Sequence, residues 1–599
     1  MQPLSKDTIS AIEAGTLPGL FNNRVTKTPE ACAYRFYDVL NDVWMDITWA
    51  EIAKEVERWQ KALAMEELEP GDRVAIMARN SRFWVKFDQA ALALGLVVVP
   101  IYTDDRANNV HYILKHSGAK FLLLGGSQQW QRIQPKLKEI RTLKRIVTIS
   151  NTVTPHDKRL LNLEEWMSNQ KEEVTRPVLS PGDLATIVYT SGTTGRPKGV
   201  MLSHRNILSN VYSCAQTHLA TNKELFLSFL PLSHTFERTV GYYLPIMLGA
   251  TVAHSRSIQD LPEDLLMVKP TGLITVPRIF EKMYVKLMEK LEQQSIISRA
   301  MFRLAIHVGW NRFEYMQGRA RPGPLLFLWP LMKKLVADKL MAKLGGNLKV
   351  AISGGAALSP EISKVFVSLG IPVFQGYGLT ETSPVVSVNI ESKHIPASIG
   401  PPLPGVEVKI DENNELLVRG NNVMMGYWQN TNATDEVKDS DGWLHTGDKA
   451  SIEDSCLFII GRIKDIIVLS NGEKVSPVDM ELNISSDVLF DQVMVIGESR
   501  PYLSALVVLN EQQWERYVYD EDLENQDLNS EIVMKKLLER VAECLRDFPG
   551  YAQVYKITCL TDPWTVDNDL LTATLKMKRS KVLEKYSSEV DVMYGGDTI

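Results

Sequence analysis

Along the first 150 or so residues, stretches in which apolar side chains recur every three to four positions alternate with short runs of aliphatic and β-branched residues. Ile52 to Leu63 carries the helical period, Arg73-Val-Ala-Ile-Met77 reads as a strand, Phe83 to Leu94 is helical again, and Leu96 to Val99 reads as a second strand. Phe121 to Leu124 and Arg145 to Ile149 continue the series. Such alternation predicts an α/β fold with a largely parallel sheet. Further along, the Gly/Pro-rich segment Gly400 to Ile410 opens a short β-rich stretch ending near Gly461. Beyond Arg462 the pattern becomes that of a small α+β unit, with a helix-forming segment at Val533 to Leu545 and another near the end.

The chain has 599 residues, more than one hydrophobic core usually supports, so at least two domains are expected. The boundaries predict a large N-terminal domain over 1–461, with a small β-rich subdomain at 400–461, and a small α+β C-terminal domain over 462–599. No internal repeat or low-complexity tract interrupts them.

Composition changes this picture mainly by exclusion. Lys+Arg 66 against Asp+Glu 72 gives a net charge of -6, which offers no global electrostatic case for nucleic-acid binding. The five cysteines, Cys32, Cys214, Cys456, Cys544 and Cys559, are scattered, without a CxxC or a Cys/His cluster. Neither a disulfide framework nor a zinc site is expected, and a reducing cytoplasm fits best. The first twenty residues lack an apolar core of signal-peptide length, and the longest nearly apolar run, Ala90 to Tyr102, is too short to cross a bilayer. The expected location is therefore the cytoplasm or, peripherally, the inner membrane surface.

One segment departs from this balance. From Lys282 to Lys349 there are thirteen Lys/Arg against four Asp/Glu, interleaved with Met301, Phe302, Trp310, Phe313, Phe327 and Trp329 around the loop-like Arg319-Ala-Arg-Pro-Gly-Pro324. A basic amphipathic helical pair of this kind suits an anionic lipid surface. It equally suits a surface hairpin whose apolar face packs on its own domain, and both readings stand at this level.

The sharpest chemical signal is Tyr189-Thr-Ser-Gly-Thr-Thr-Gly-Arg-Pro-Lys-Gly199, which follows the strand-like Ala185 to Tyr189 and precedes a helical pattern. Gly192 and Gly195 let backbone N–H groups turn toward an anion. The hydroxyls of Thr190, Ser191, Thr193 and Thr194 add donors and Lys198 adds positive charge, an assembly suited to a triphosphate. A Walker A loop uses the same ingredients but requires GxxxxGK[ST]. Here Pro197 stands where its second glycine belongs and Gly199 follows the lysine, so that reading fails.

The string resembles the phosphate-loop signature of the adenylate-forming superfamily: acyl-CoA synthetases, carrier-loading adenylation domains and luciferases. Further superfamily motifs follow in order. They are Gly355-Ala356-Ala357, Gln375-Gly-Tyr-Gly-Leu-Thr-Glu381, His445-Thr-Gly-Asp448, Gly461-Arg-Ile-Lys-Asp465 and Leu571-Thr-Ala-Thr-Leu-Lys576. Within the superfamily the chain most resembles bacterial long-chain fatty acid–CoA ligases, through Pro231-Leu-Ser-His-Thr-Phe-Glu-Arg238, the insertion at 282–349 and the TxTxK ending.

The resemblance implies layered α/β subdomains, a mobile C-terminal domain, and ATP, Mg²⁺ and coenzyme A acting on a fatty acid. By the same resemblance Thr190 and Glu381 bind the metal, and Lys576 is the catalytic cation of adenylation. Gly355, Ala356, Ala357, Gln375, Gly376, Tyr377, Gly378 and Thr380 line the adenine, with Tyr377 stacking on the base. Asp448 and Arg462 hold the ribose, and Lys464 is the hinge. Arg238 replaces the tryptophan gate of one long-chain type. His234 faces either the acyl site or a structural partner. A carrier-protein acceptor, a non-catalytic relative and pairing with a second copy all stay open.

Overall fold

The computed structural model describes residues 4–152, 157–190, 196–524, 526–528, 530–546, 548–572 and 576–595. Two eight-stranded sheets dominate the N-terminal three-quarters of the chain. In the first, strands Val97–Pro100, Arg73–Met77, Phe121–Leu124 and Arg145–Thr148 run parallel at its centre. Each residue of the last three of those runs but Arg73 and Arg145 is buried, as continuous apolar strands covered on both faces require. The helix that precedes them begins where its sequence supplies a cap. At Trp49–Leu63, Thr48 Oγ1 accepts from the Glu51 amide at 3.2 Å while the Glu51 carboxylate accepts from the Thr48 amide at 2.8 Å.

The second sheet places strands Leu225–Ser228, Gly272–Thr275, Val350–Ser353 and Val373–Gly378 parallel and side by side. A four-stranded antiparallel sheet follows, built from Val406–Ile410, Glu415–Gly420, Leu444–Glu453 and Cys456–Arg462. The remaining chain forms a three-stranded sheet, Phe490–Ile496, Leu503–Leu509 and Val554–Leu560, with an apolar core of its own around Leu503, Val507, Val533 and Leu537.

The connection at the phosphate-loop string differs from the sequence expectation. Strand Leu184–Thr190 is followed by a second strand, Lys198–Ser203, antiparallel to it with Thr190 opposite Lys198, and only then by helix His204–Ala215. Val200 and Leu202 bury their side chains in this strand, which gives the segment a period of two. The string thus lies between two antiparallel strands, and no helix N-terminus directly follows it. Ser191, Gly192, Thr193, Thr194 and Gly195 lie outside the described residues.

The basic segment folds as helices Pro277–Glu292 and Ile296–Met316, then short helical turns to Asp338–Lys343. Phe302, Ala305, Val308, Met332 and Leu340 pack with Phe280, Phe366 and Leu369 of the second sheet's helical layer. Gly309 permits the approach, because a Cβ there would meet the Ser368 carbonyl oxygen at 1.8 Å. The outer side leaves Ile296, Ile297, Leu331 and, at 88 % exposure, Phe327 facing solvent.

Arg238 sits in the π-helical turn Glu237–Tyr243, fully enclosed. Its guanidinium meets Asp88 at 2.5 Å and donates to Thr186 Oγ1 at 2.8 Å, and Tyr243 Oη donates to the same carboxylate at 2.8 Å. Burial works against the charge, but Asp88 more than restores it and keeps Arg238 a cation. This residue ties the first sheet's helix Arg82–Ala93 to the second layer. Arg238→Met should strand the Asp88 charge and lower unfolding free energy by about 3–5 kcal/mol, whereas Arg238→Met with Asp88→Leu should recover part of it in chemical denaturation.

Candidate nucleotide and acyl site

A cavity of about 590 Å³ opens at the carboxyl ends of the parallel strands, where ligands collect in sheets of this kind. Strand Leu184–Thr190 delivers Thr190, and the paired strand delivers Lys198. Strand Val350–Ser353 ends in Gly354 and Gly355, and strand Val373–Gly378 runs into Leu379, Thr380 and Glu381. Arg462 closes the antiparallel sheet, and Lys576 enters from the C-terminal domain. All of these line the one cavity.

The polar end is organised by shared carboxylates. Asp448 accepts from Tyr377 Oη at 2.5 Å and from Arg462 Nε at 3.0 Å. Its turn is set locally: Glu415 accepts from the Gly447 amide at 2.8 Å and bonds His445 Nδ1 at 2.9 Å. Gly447 adopts φ 72°, which glycine takes without steric penalty. Burial opposes the Arg462 charge, and Asp448, Tyr377 and Asp465 outweigh it, so the guanidinium stays protonated. Glu381 lies in the one-turn helix Thr380–Thr382 and its Oε1 accepts from Tyr427 Oη at 2.8 Å.

Lys576 lines the cavity while the residue as a whole stays exposed. Desolvation of its ammonium in the cleft, then the Arg462 charge, pull its pKa below the ordinary lysine value, while Asp448 and Glu381 act in the opposite sense. His234 lies within the field of this ammonium. Burial first, and Lys576 second, lower it to about 4, so its ring is neutral at physiological pH, with Nδ1 accepting from the Phe236 amide at 3.2 Å.

The cavity also has apolar lining, from Ala215, Phe226, Val240, Leu244, Leu248 and Val385. Phe236, Val240 and Leu244 follow the helical spacing that turns one face toward the space. Arg238 lies on another face, held by Asp88, and does not line the cavity.

Several sequence candidates lie apart from the lining. Gln375 is consumed structurally, accepting from the Leu358 amide at 3.0 Å and donating to the Pro396 carbonyl at 2.5 Å. Ala356 and Ala357 are exposed beside Gly355, and Lys464 is exposed in the one-turn helix Ile463–Asp465. Gly376, Tyr377, Gly378 and Thr380 do line the space.

One cavity is thus lined both by polar residues of the ordered motifs and by apolar side chains. The AMP-binding enzyme profile matches residues 21–428, and the AMP-binding enzyme C-terminal domain profile matches 464–598. The chain belongs to the AMP-binding enzyme family. It is 31% identical over 583 residues to a protein of Mycobacterium bovis named long-chain-fatty-acid–CoA ligase FadD15, covering 94% of each chain. It is 28% identical to a chloroplastic Arabidopsis thaliana protein named long-chain-fatty-acid–[acyl-carrier-protein] ligase AEE15, over 93% of this chain and 84% of that one. In fold it matches the anthranilate CoA ligase AuaEII crystallised with anthranoyl-AMP, at 18% identity and TM-score 0.73, covering 96% and 98% of the two chains. It also matches the A domain of the carboxylic acid reductase of Segniliparus rugosus in complex with AMP, at 20% identity and TM-score 0.75, covering 98% and 97%.

In this AMP-binding enzyme, a further residue joins the site that sequence reasoning passed over. Tyr427 donates to Glu381 and its ring lies 4.9 Å from Lys198 Nζ, so one side chain orients both the acid and the base. Its signal was slight: an aromatic after Gly426, in a two-residue strand pairing with Val200 and Met201, which only tertiary structure brings to the phosphate loop. Tyr427→Phe should keep the ring over Lys198 and lose the hydrogen bond, reducing ATP-dependent turnover about three- to tenfold, read as kcat/KM for ATP.

Proposed function

We propose that the protein activates a long-chain fatty acid with ATP to form acyl-AMP and diphosphate, then transfers the acyl group to coenzyme A and releases AMP. The observation that carries this reading is the single cavity lined by Lys198, Glu381, Arg462 and Lys576 together with a set of apolar side chains. The names of the relatives at about 30% identity point the same way.

The chemistry explains the arrangement. A fatty carboxylate must approach the α-phosphate although both are anions, and at about 4 Å and an effective dielectric near 20 each such pair costs on the order of 4 kcal/mol. Lys576 and Arg462 supply fixed positive charge, preorganised by Asp448 and Glu381, so little reorganisation is needed as charge moves. The carboxylate oxygen bonds to the α-phosphorus while the bond to the diphosphate oxygen breaks. In the second step the thiol sulfur of coenzyme A bonds to the acyl carbon and AMP leaves.

Glu381 and Thr190 fit a magnesium ion. Tyr427 engages one carboxylate oxygen, Oε2 has no hydrogen bond or ion pair among the described residues, and a hydroxyl faces the same space. Two protein oxygens plus phosphate oxygens suit that ion, which when bound neutralises phosphate charge. No group of three or more His, Cys, Asp or Glu able to hold a metal occurs among the described residues, in keeping with a metal held largely by its nucleotide. Tyr377, Gly378, Gly355 and Asp448 would receive the nucleoside, with Lys464 the hinge that withdraws Lys576 before thioester formation.

Saturated acids of graded length, supplied with ATP, Mg²⁺ and either coenzyme A or a pantetheinylated carrier protein, should release diphosphate and give acyl-CoA. No acid-dependent diphosphate release would refute the reading, and product only on the carrier would change the acceptor. In that assay Lys576→Ala should slow acyl-AMP formation on the order of 10²–10³-fold while sparing thioester formation from supplied acyl-AMP. Since the folded pKa is lowered, adenylation should fall with rising pH before the ordinary lysine range is reached, and Lys576→Arg should move that limb upward.

The outer side of the basic segment suits a membrane surface. Leu325, Phe327, Leu328 and Leu331 are exposed, between Arg319, Arg321, Lys333, Lys334, Lys339 and Lys343, with Asp338 the one acid across that span. No helix among the described residues is long and apolar enough to cross a bilayer. Vesicles containing anionic lipid should bind the protein, less so as salt rises, and Phe327→Asp should weaken binding without altering activity on a soluble medium-chain acid.

A further inference from the structure

Lys576 belongs to a short hairpin of the C-terminal domain. Its amide donates to Thr572 Oγ1 at 3.0 Å, its carbonyl accepts from the Thr572 amide at 2.8 Å, and the Lys578 amide donates to the Leu570 carbonyl at 2.9 Å. The base of this hairpin is gripped by one residue of the large domain. Arg106 Nη2 donates to the carbonyls of Asp567 at 2.8 Å and Val566 at 3.2 Å, while its Nη1 pairs with Asp569 at 3.1 Å. The same Asp569 oxygen pairs with Lys578 at 2.6 Å, so the carboxylate links Arg106 to the strand that returns from Lys576.

Arg106 is itself anchored through its backbone. It precedes helix Ala107–Ser117, and Asp105 Oδ1 accepts both its amide at 2.8 Å and Asn109 Nδ2 at 2.9 Å. The junction encloses a cavity of about 50 Å³ between Ile101 and Arg106 on one side and Val566, Leu571 and Lys578 on the other. Packing there is incomplete, which leaves the polar contacts to define the alignment. Other contacts between the domains, Arg278 Nη1 to the Asp491 carbonyl at 3.1 Å and Gln513 to Glu289 at 2.7 Å, do not touch the Lys576 hairpin.

We infer that Arg106 is a positioning residue for the adenylation half-reaction: a latch that holds the Lys576 hairpin in the nucleotide cleft and must release before thioester formation. The inference rests on the two-step reading above. The charged partners are partly solvated, Arg106 at 39% and Asp569 at 33% side-chain exposure. A latch of this strength shifts a balance without locking it, as an alternation between two states demands.

Two measurements on the full chain test it. Arg106→Ala should slow acyl-AMP formation roughly three- to tenfold and leave thioester formation from supplied acyl-AMP unchanged or faster, with Arg106→Lys, which keeps the charge toward Asp569, recovering part of the loss. Equal slowing of both half-reactions, or no effect on the first, would overturn the latch. Independently of catalysis, amide hydrogen exchange across 564–572 should accelerate in Arg106→Ala while strands Leu503–Leu509 and Arg73–Met77 stay protected. Unchanged exchange in that segment would also overturn it. Should the unaltered protein form no acyl-AMP from any acid, the function reading fails by itself, and the exchange result still decides whether Arg106 holds the hairpin.

Discussion

Lys576 brings an ammonium into a cleft that already holds the Arg462 guanidinium, and the balance of charge around these two cations shapes the rest of the site. Two cations alone in such a cleft would disfavour each other's charge. Here Asp448 and Glu381 face Lys576, and Arg462 is neutralised in part by the same Asp448, so the cleft holds mixed charge before any anion arrives. Under the proposed function, an incoming triphosphate would meet donors that are already oriented. The carboxylates are in turn restrained by neutral hydroxyls, Tyr377 on Asp448 and Tyr427 on Glu381, which fix geometry without adding charge.

The scaffold answers this need by bringing ends together. Strand termini from both large sheets, the edge of the antiparallel sheet and a hairpin of the C-terminal domain meet around one volume, so no element carries the site alone. The consequence is that charge complementarity in the cleft depends on domain placement. Withdrawal of the C-terminal hairpin would remove one cation and leave the others in place, a division of labour suited to a reaction with two unlike steps.

The apolar arm and the buried ion pair behind it solve a different problem. A wall of aliphatic and aromatic side chains repels water from the acyl end, yet the helices forming it must also be tied to the first sheet. Arg238, Asp88, Tyr242 and Tyr243 do so through a fully satisfied carboxylate, on a helix face turned away from the substrate space. A position that resemblance associates with gating is occupied here by a structural cation.

The local elements were legible in the chain because short-range physics sets them. The periods at Arg73–Met77, Phe121–Leu124 and Trp49–Leu63 predict their strands and helix to within a few residues, and the glycines and hydroxyls before Lys198 suit an anion by composition. What followed that loop was not legible. Val200 to Leu202 is a strand because it pairs with Ile187 and Val188, a contact its own propensity does not specify. Roles that depend on partners were decided only in three dimensions. Gln375 and Arg238 are satisfied by neighbours within the fold, while Tyr427 and Arg106 gain their importance from residues 46 and about 460 positions away. Sequence determined which chemical groups this protein possesses and the elements that carry them. Tertiary structure determined which of those groups face one another, since burial and Coulomb interaction act through space and take no account of separation along the chain.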